Sequence, residues 1–455
     1  MVITRQLINK NIIYHDSDNR VYDYNGLDKL INGYKNLLIE KGAKKGKSIV
    51  IGHSSSTAQI ALVFACCELG MTIVIVGTPW LKGKNFANNN LIDPKLQILL
   101  PIDYFIVPNK DTTGYFEVFK NTCRFTICLD DEELDYSDNY TVFADNDTVF
   151  LKCTSSGTTD TPKIIVHTHE FLYKLIQRNS LNYYGKMGML TNLAHGSSPA
   201  VYFLPGLISK AVTDFYNLPH SDLLKVCDIL DTKNIDIDHI LVPYTIMLDN
   251  FFATNRRLPN CILHTLGIIR LTWVDKVKLG QVKDIVSIFG TNETSGPFLI
   301  NKATYDDFAE NAYRTIDNFY TVNINSNNLY VTVPVYNSVI KTNDRFSEKE
   351  NVFFHLGRAN LYRINDFEFN YNEYQSEVNK FFKAELVIDT QKNRIYLAIW
   401  DKNVQTNEIE KLNNFFKDYS KGLHTIDKYA FLTYSDFLNG VKLDKELLRV
   451  YFRNL

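Results

Sequence analysis

The most informative stretch of the sequence is Lys-Cys-Thr-Ser-Ser-Gly-Thr-Thr-Asp-Thr-Pro-Lys, at residues 152–163. The buried-type run Val149–Cys153 leads into it, and the β-branched run Lys163–Thr168 leads out of it. Short runs of this kind predict β-strands. The sequence therefore predicts that this stretch connects two strands.

Hydroxyl groups dominate this connection, because six of the eight residues from Thr154 to Thr161 are Ser or Thr. Their hydroxyls and exposed backbone N–H groups can donate hydrogen bonds to phosphate oxygens. Gly157 allows a ligand to approach the backbone closely, and Lys163 supplies a positive charge. A few bonds to charged groups, at about 1.5–3 kcal/mol each, can hold a triphosphate. Composition alone fits two interpretations, a phosphate-binding loop and a polar surface hairpin.

Strands and helices alternate along the rest of the chain. Apolar residues recur at helical spacing in Leu27–Leu38, and the run Ser48–Ile51 predicts a strand. A helix is predicted over Thr57–Leu69 and another strand over Thr72–Val76. This alternation is typical of a parallel sheet covered by helices. It recurs at smaller scale near the C-terminus, so we predict an α/β fold with a domain boundary near Gly357–Asn360.

Composition and charge exclude several classes of protein. The chain has 455 residues, and 49 basic against 51 acidic residues give a net charge of −2. Nucleic-acid binding usually requires a basic surplus, so no nucleic-acid partner is expected. Seven cysteines without C-x-x-C spacing do not suit a disulfide scaffold and predict a reducing, cytoplasmic location. Glu68 interrupts the most apolar window, Ile60–Val76, so no membrane span is expected.

Two further segments contain candidate ligands. Phe289-Gly-Thr-Asn-Glu-Thr294 follows the strand-like run Ile285–Ile288, and a carboxylate in such a position suits Mg²⁺ beside a nucleotide. An ordinary turn is the equally weighted alternative. His167 and His169 would share one face of a continuous strand and could suit a metal. A structural or pocket-lining role for them is favoured, because no further ligand pair is evident.

Five motifs, in this order along the chain, resemble those of the AMP-forming acyl-adenylate synthetase superfamily. This superfamily includes acyl- and aryl-CoA synthetases, peptide-synthetase adenylation domains and luciferases. Residues 155–163 resemble its phosphate loop, and Phe289–Glu293 resembles its aromatic-Gly-x-Thr-Glu motif. Thr342-Asn-Asp344 is similar to its Thr-Gly-Asp motif, and Gly357-Arg358 is similar to the start of its hinge. Residues 440–445, Gly-Val-Lys-Leu-Asp-Lys, are similar to the segment that carries its catalytic lysine.

The resemblance implies a large N-terminal AMP-binding domain of sheets flanked by helices, residues 1–358, and a small mobile α+β lid, residues 359–455. It implies an ATP-dependent, AMP-forming ligase that uses Mg²⁺. Such an enzyme converts a small-molecule carboxylic acid into an acyl-adenylate. The acyl group then passes to a thiol, either coenzyme A or the phosphopantetheine arm of an acyl or peptidyl carrier protein, or to an amine or hydroxyl.

The resemblance also implies roles for individual residues. Lys442 would bridge the carboxylate and the α-phosphate, Glu293 would bind Mg²⁺, and His195 would line the acyl pocket. Phe289 would stack near the adenine, Asn292 would contact the α-phosphate, and Asn360 would be the hinge position. Thr158, Thr159 and Lys163 would bind the β- and γ-phosphates, and Asp344, aided by Arg358, would bind the ribose hydroxyls. The full implied nucleotide-binding set is Thr154, Ser155, Ser156, Gly157, Thr158, Thr159, Lys163, Phe289, Gly290, Thr291, Asn292, Asp344 and Arg358.

Several positions depart from the family pattern. Asp160 stands where the phosphate loop usually has Gly, and Asn292 replaces the usual Thr. Asp366-Phe367 replaces the glycines beside the thioester tunnel, which leaves the acceptor open. No Phe-Asp-x-Ser motif occurs near His195, so an α-amino-acid substrate is disfavoured. The alternative hypothesis is a nucleotide-binding relative with little catalytic activity that acts as a regulatory or scaffold protein.

Overall fold

The computed structural model describes the chain apart from residues 17–18, 53–56, 76–100, 108–122, 155–163, 191–198, 219–222, 243–244, 268, 337, 359–360, 365–366, 390–391, 393, 401–402, 420–423, 434–435, 437, 440–441 and 444. The described chain divides into two compact units. The first unit comprises residues 1–323, 330–341 and 348–354, and the second comprises 324–329, 342–347 and 355–455. The domain ranges 1–358 and 359–455 stay a prediction.

The described strands, in chain order, are β1 (Ile13–His15), β2 (Val21–Tyr22), β3 (Ser48–Ile51), β4 (Thr72–Val74), β5 (Ile102–Val107), β6 (Cys123–Cys128), β7 (Val149–Thr154), β8 (Ile164–Thr168), β9 (Gly185–Met189), β10 (Val212–Asn217), β11 (His239–Val242), β12 (Leu258–Thr265), β13 (Val282–Gly290), β14 (Pro297–Lys302), β15 (Ala312–Thr315), β16 (Thr321–Asn325), β17 (Asn328–Val333), β18 (Ser338–Lys349), β19 (Val352–Arg358), β20 (Leu361–Ile364), β21 (Phe367–Asn370), β22 (Ala384–Asp389), β23 (Arg394–Ile399), β24 (Lys428–Phe431), β25 (Leu438–Asn439) and β26 (Lys442–Leu443).

The described α-helices are α1 (Tyr24–Glu40), α2 (Thr57–Leu69), α3 (His169–Ser180), α4 (Leu204–Ile208), α5 (Leu223–Lys233), α6 (Thr245–Phe252), α7 (Leu271–Lys278), α8 (Tyr371–Phe381), α9 (Thr406–Tyr419) and α10 (Lys445–Asn454). One π-helical turn, Pro199–Phe203, precedes α4. None of the helices among the described residues combines the length and hydropathy that a bilayer-spanning helix requires.

A six-stranded sheet forms one layer of the first unit, in the order β6-β5-β3-β4-β7-β8. Its strands are parallel apart from β8, which runs antiparallel to β7. Helix α2 is apolar around nearly its whole circumference and almost completely buried, as expected of a helix within a core. The amphipathic helix α1 buries Leu27, Ile31 and Leu38 on one face. Parallel strands alternating with helices confirm the predicted α/β class.

The first unit contains a second and larger sheet, in which β2, β1, β10, β9, β11, β12, β13, β14 and β15 are successive neighbours. The strands from β1 to β13 in this order run parallel. Strand β14 then runs antiparallel to β13, and β15 runs antiparallel to β14. Leu248, Phe251 and Trp273 from α6 and α7 belong to a buried cluster beside this sheet. The carboxyl end of β13, at Gly290, leads directly into the candidate Glu293 turn.

The second unit is built around the three-stranded sheet β22-β23-β24. Strands β22 and β23 are antiparallel, whereas β23 and β24 are parallel. Helices α8 and α9 contribute Val378, Leu412 and Phe416 to one core cluster, and α10 contributes Leu448 and Phe452 to another. The smaller C-terminal unit therefore combines helices with a small mixed sheet, as the sequence predicted for its α+β segment.

Candidate active site

The connection at residues 155–163 joins two hydrogen-bonded strands. Thr154, the last residue of β7, pairs with Ile164, the first residue of β8, and Cys153 pairs with Ile165. This confirms the predicted strands on either side. The candidate phosphate-binding residues themselves, Ser155, Ser156, Gly157, Thr158, Thr159 and Lys163, lie outside the described residues.

A compact turn follows β13 and carries Glu293. The Thr294 hydroxyl donates to the carbonyl oxygen of Thr291 (2.9 Å) or of Gly296 (2.8 Å), and the Thr294 backbone N–H donates to the Thr291 carbonyl at 3.2 Å. Gly290 approaches Gly296 so closely that a Cβ on Gly290 would lie 2.5 Å from the carbonyl oxygen of Gly296. Only glycine fits at position 290, so the sequence fixes the path of the chain into this turn.

Two hydrogen bonds connect this turn to the β7–β8 hairpin. The Asn292 side-chain amide donates from Nδ2 to the carbonyl oxygen of Thr154 at 2.9 Å. The Nε2 atom of His167, on β8, lies 2.8 Å from the Asn292 carbonyl oxygen. Thr154, Asn292 and Glu293, which are far apart in the sequence, therefore lie in one neighbourhood beside the base of the 155–163 connection.

The Glu293 carboxylate has no hydrogen bond or ion pair within the described part of the chain and is partly exposed. Burial raises the pKa of the Cys153 thiol to about 12, and the negative charge of Glu293 contributes to this rise. The carboxylate is therefore close to the end of β7. The described residues contain no group of three or more His, Cys, Asp and Glu side chains arranged to hold a metal. A single carboxylate fits Mg²⁺, which commonly takes one or two protein carboxylates together with substrate phosphates and water.

Phe289 lies near the end of β13 and is partly buried. Its ring packs edge-to-face against Phe298 at a centroid distance of 5.6 Å and against Tyr313 at 5.9 Å. These contacts hold the ring beside the Glu293 turn. Its predicted stacking on adenine stays a prediction.

Asp344 lies on β18, in the second unit, and is almost fully buried. Its Oδ1 atom lies 3.2 Å from Nε2 of His355 on β19. Its backbone N–H donates to the Thr342 hydroxyl at 3.2 Å. Arg358 is the last residue of β19. The structure thus brings the Thr342–Asp344 motif together with His355, and the predicted ribose contacts of Asp344 and Arg358 stay predictions.

Lys442 begins the two-residue strand β26, where it pairs with Asn439 of β25. His195, Asn360 and Asp366 lie outside the described residues. The predicted roles of Lys442, His195 and Asn360 therefore rest on the sequence motifs alone.

One local prediction was wrong. His167 and His169 do not share a strand, because β8 ends at Thr168 and α3 begins at His169. The Thr168 hydroxyl accepts a hydrogen bond from the Phe171 N–H, which is a typical N-cap interaction. His169 Nδ1 accepts from the Ile3 N–H at 3.3 Å, whereas His167 contacts Asn292. The two rings serve separate contacts and form no shared metal site.

Sequence reasoning assigned no specific contact to His167 and did not single out His355. Each is recognisable only through its partner, since His167 contacts a residue 125 positions away. The available sequence signal was weaker: each is a polar residue inside an otherwise apolar strand run, at Ile164–Thr168 and Val352–Leu356.

The first unit combines two sheets with helices, and the smaller C-terminal unit combines helices with a small mixed sheet. This architecture is similar to that of adenylate-forming enzymes of known structure. Residues 5–216 match the family described as AMP-binding enzyme. This match covers a little less than half of the chain, and over the remainder the likeness to known proteins is one of fold. No curated protein sequence matches the chain.

Solved structures share this fold over nearly their whole length. o-Succinylbenzoate coenzyme A synthetase from Bacillus subtilis, in complex with ATP and magnesium ion, has a TM-score of 0.66 and 15% identity, covering 98% of each chain. The anthranilate CoA ligase AuaEII, in complex with anthranoyl-AMP, has a TM-score of 0.63 and 13% identity, covering 98% of this chain and 95% of that one. McyG A-PCP, complexed with phenylalanyl-adenylate, has a TM-score of 0.60 and 13% identity, covering 100% and 96%. At these identities the likeness is one of fold.

Proposed function

We propose that this protein is an ATP-dependent ligase that activates a carboxylic acid as its acyl-adenylate. A carboxylate oxygen of the substrate attacks the α-phosphorus of ATP, and the bond from this phosphorus to the pyrophosphate oxygen breaks. A thiol then loses its proton to solvent and attacks the acyl carbon, the C–S bond forms, the bond from the acyl carbon to the phosphate oxygen breaks, and AMP leaves. The proposal rests on one observation: the Asn292 side chain joins the Glu293 turn to the end of β7, at the base of the hydroxyl-rich connection.

The proposed nucleotide-binding residues divide by the part of ATP that they contact. Residues 154–159 and Lys163 hold the triphosphate, with Thr158, Thr159 and Lys163 on the β- and γ-phosphates. Phe289 stacks near the adenine and Asn292 contacts the α-phosphate. Asp344 binds the ribose hydroxyls with the help of Arg358. Glu293 is the protein ligand for Mg²⁺, which neutralises phosphate charge when bound.

Charge is the main obstacle to the first half-reaction, because a carboxylate must approach a polyanion. The nucleophile is already ionised and pyrophosphate is a good leaving group, so little acid–base catalysis is needed. Fixed positive charge and alignment of the reacting atoms supply most of the rate enhancement in phosphoryl-transfer chemistry of this kind. We assign the fixed charge near the α-phosphate to Lys442 and the lining of the acyl pocket to His195.

The proposed acceptor is a thiol, either coenzyme A or the phosphopantetheine arm of a carrier protein. Of the three structural relatives described above, two are named as a coenzyme A synthetase or ligase and one as an A-PCP protein. An amine or hydroxyl is the alternative acceptor, because Asp366-Phe367 stands where the family usually has glycines. The substrate class is a small-molecule carboxylic acid.

The proposal is tested by carboxylate-dependent exchange of labelled pyrophosphate into ATP, over a panel of aliphatic, aromatic and amino acids. We expect exchange with at least one acid, and we expect it to require Mg²⁺. A matched control is Glu310→Gln, which changes a carboxylate away from the Glu293 turn, whereas Glu293→Gln should reduce exchange about a hundredfold. If the unmodified protein binds ATP but catalyses no exchange with any acid of the panel, the result would instead support the regulatory or scaffold alternative.

A further inference from the structure

The Glu293 turn and the 155–163 connection belong to different sheets. The connection joins β7 and β8 of the six-stranded sheet, whereas the turn follows β13 of the larger sheet. Two hydrogen bonds join the turn to the strands on either side of the connection: Asn292 Nδ2 to the Thr154 carbonyl oxygen at 2.9 Å, and His167 Nε2 to the Asn292 carbonyl oxygen at 2.8 Å. One residue of the turn is thus held by the strand that enters the connection and by the strand that leaves it.

The chemistry of both contacts fixes which atom donates. A carbonyl oxygen only accepts, so Nε2 of His167 carries the ring proton, and Nδ2 rather than Oδ1 of Asn292 faces Thr154. Burial lowers the pKa of His167 to about 4, so the ring is neutral near pH 7. The ring also packs on Phe171 at a centroid distance of 5.1 Å. The Asn292 amide nitrogen has a second N–H group, so the bond to Thr154 leaves one donor for a phosphate oxygen.

We propose that His167 is a positioning residue that, through Asn292, sets the location of the Glu293 carboxylate relative to Thr154 at the end of β7. This inference rests on the proposed function and deepens it. Glu293 would hold Mg²⁺ beside the phosphates, where the metal would neutralise phosphate charge. The position of Glu293 relative to Thr154 must therefore be maintained closely. Misplacement of reacting groups by about 1 Å costs on the order of 100-fold in rate.

The first test removes the donor of His167. In His167→Leu the ring N–H is lost, whereas His167→Gln retains a side-chain N–H at a similar distance from the backbone. We expect His167→Leu to raise the KM for Mg²⁺ about tenfold and to lower kcat of pyrophosphate exchange about tenfold. His167→Gln should recover most of both losses. Transfer of the acyl group from a supplied acyl-adenylate should be unchanged in both variants, because that half-reaction uses neither Mg²⁺ nor the triphosphate.

A general loss of structure would lower both half-reactions together, and that result would overturn a positioning role. Unchanged Mg²⁺ dependence in His167→Leu would also overturn it. A readout without turnover is the ring tautomer, measured from the ¹⁵N shifts of the His167 imidazole, with His167→Gln providing the assignment. A protonated Nε2 and an unprotonated Nδ1 near pH 7 are expected, and the opposite tautomer would contradict the His167–Asn292 bond.

The experiment separates failure of this inference from failure of the proposed function. If the unmodified protein binds MgATP but catalyses no exchange, the ligase proposal fails. The positioning role is then judged by calorimetric titration with ATP at varied Mg²⁺. The positioning role would still be supported if Mg²⁺ strengthened ATP binding ten times less in His167→Leu than in the unmodified protein. It would be overturned if Mg²⁺ strengthened ATP binding equally in both proteins. Absence of ATP binding in the unmodified protein would overturn both proposals.

Discussion

The Nε2 atom of His355 lies 3.2 Å from the Oδ1 atom of Asp344, and only 7% of the Asp344 side chain is exposed. His355 also packs against Phe346 at a centroid distance of 4.9 Å. A hydrogen bond to a buried carboxylate restricts the rotation of that carboxylate. His355 therefore orients the side chain that we assign to the ribose hydroxyls of ATP.

Replacing His355 should weaken ATP binding without preventing catalysis. Loss of a hydrogen bond to a charged group costs about 1.5–3 kcal/mol, so His355→Leu should raise the KM for ATP about tenfold or more. His355→Gln retains a donor and should stay within a few-fold of the unmodified protein. The measurement is initial-rate pyrophosphate exchange at varied ATP. An equal KM in His355→Leu and the unmodified protein would contradict the role of this contact.

Lys442→Ala should separate the two half-reactions. We expect adenylation to fall about 100- to 1,000-fold, because removal of one fixed group that stabilises transition-state charge has an effect of this size. Transfer from a supplied acyl-adenylate to a thiol should be largely retained. Lys411→Ala, an exposed lysine of α9, removes the same charge elsewhere in the second unit and should change neither rate. Equal loss of both half-reactions in Lys442→Ala would refute the assignment.

Local features of the fold could be predicted from sequence because they depend on near neighbours. The predicted helix Thr57–Leu69 and strand Ser48–Ile51 coincide with α2 and β3. The predicted strand run Lys163–Thr168 ends at the same residue as β8. The interpretation that put His169 on this strand was wrong, because the N-cap at Thr168 was not recognised. A hydroxyl residue immediately before the helix was the available signal, and the β-branched run that ends in this residue concealed it.

Contacts between distant segments could not be predicted in this way. The motif Phe289–Glu293 could be placed after a strand, but its bond to Thr154 depends on how two sheets pack. The His355–Asp344 contact likewise depends on the geometry of the turn between β18 and β19. In that turn Glu350 and Asn351 both have positive φ, 54° and 63°. The sequence analysis did not predict this backbone geometry. Sequence therefore indicated the site's residues but not its supporting contacts.

Glu68 should be essential for the stability of the first unit. Its carboxylate accepts from Arg5 Nε at 2.9 Å, from Arg5 Nη2 at 2.7 Å and from Lys35 Nζ at 2.9 Å, and all three side chains are almost fully buried. Burial by itself raises the pKa of Glu68, but the bonds and charges of Arg5 and Lys35 outweigh it, and the pKa lies below the usual range.

Glu68→Gln should lower the free energy of unfolding by about 3–5 kcal/mol, because it removes the carboxylate that two buried cations share. Arg5 keeps a second carboxylate, that of Asp28 at 3.1 Å, whereas Lys35 keeps, among the described residues, only carbonyl oxygens. The measurement is urea unfolding at pH 7, followed by circular dichroism. Glu170→Gln is the matched control, since Glu170 pairs with Lys174 at the surface and exposed pairs contribute little. A Glu68→Gln protein as stable as this control would contradict the prediction.

The free energy of unfolding should decrease as the pH is lowered below about 6.5, because several histidines are buried in the neutral form. The Nδ1 atom of His239 and the Nε2 atom of His264 are 3.0 Å apart and form a hydrogen bond. Burial lowers the pKa of His239 to about 4 and that of His264 well below its usual value. The unfolded chain therefore binds protons in a range where the folded protein does not. The stabilisation from each neutral ring is complete above pH 6.5 and is lost as the pH falls toward 4.

His239→Phe tests this prediction directly. In this variant the free energy of unfolding should depend less steeply on pH between pH 6.5 and 4. The slope should decrease by up to the equivalent of one bound proton, which is about 1.4 kcal/mol per pH unit. Tyr184→Phe is the matched control, because its ring contacts His239 edge-to-face at 4.5 Å and the substitution leaves the histidine in place. The measurement is urea unfolding at half-unit pH intervals. If the slope of His239→Phe equals that of the control, His239 is not held neutral by burial, and the acid sensitivity must come from other groups.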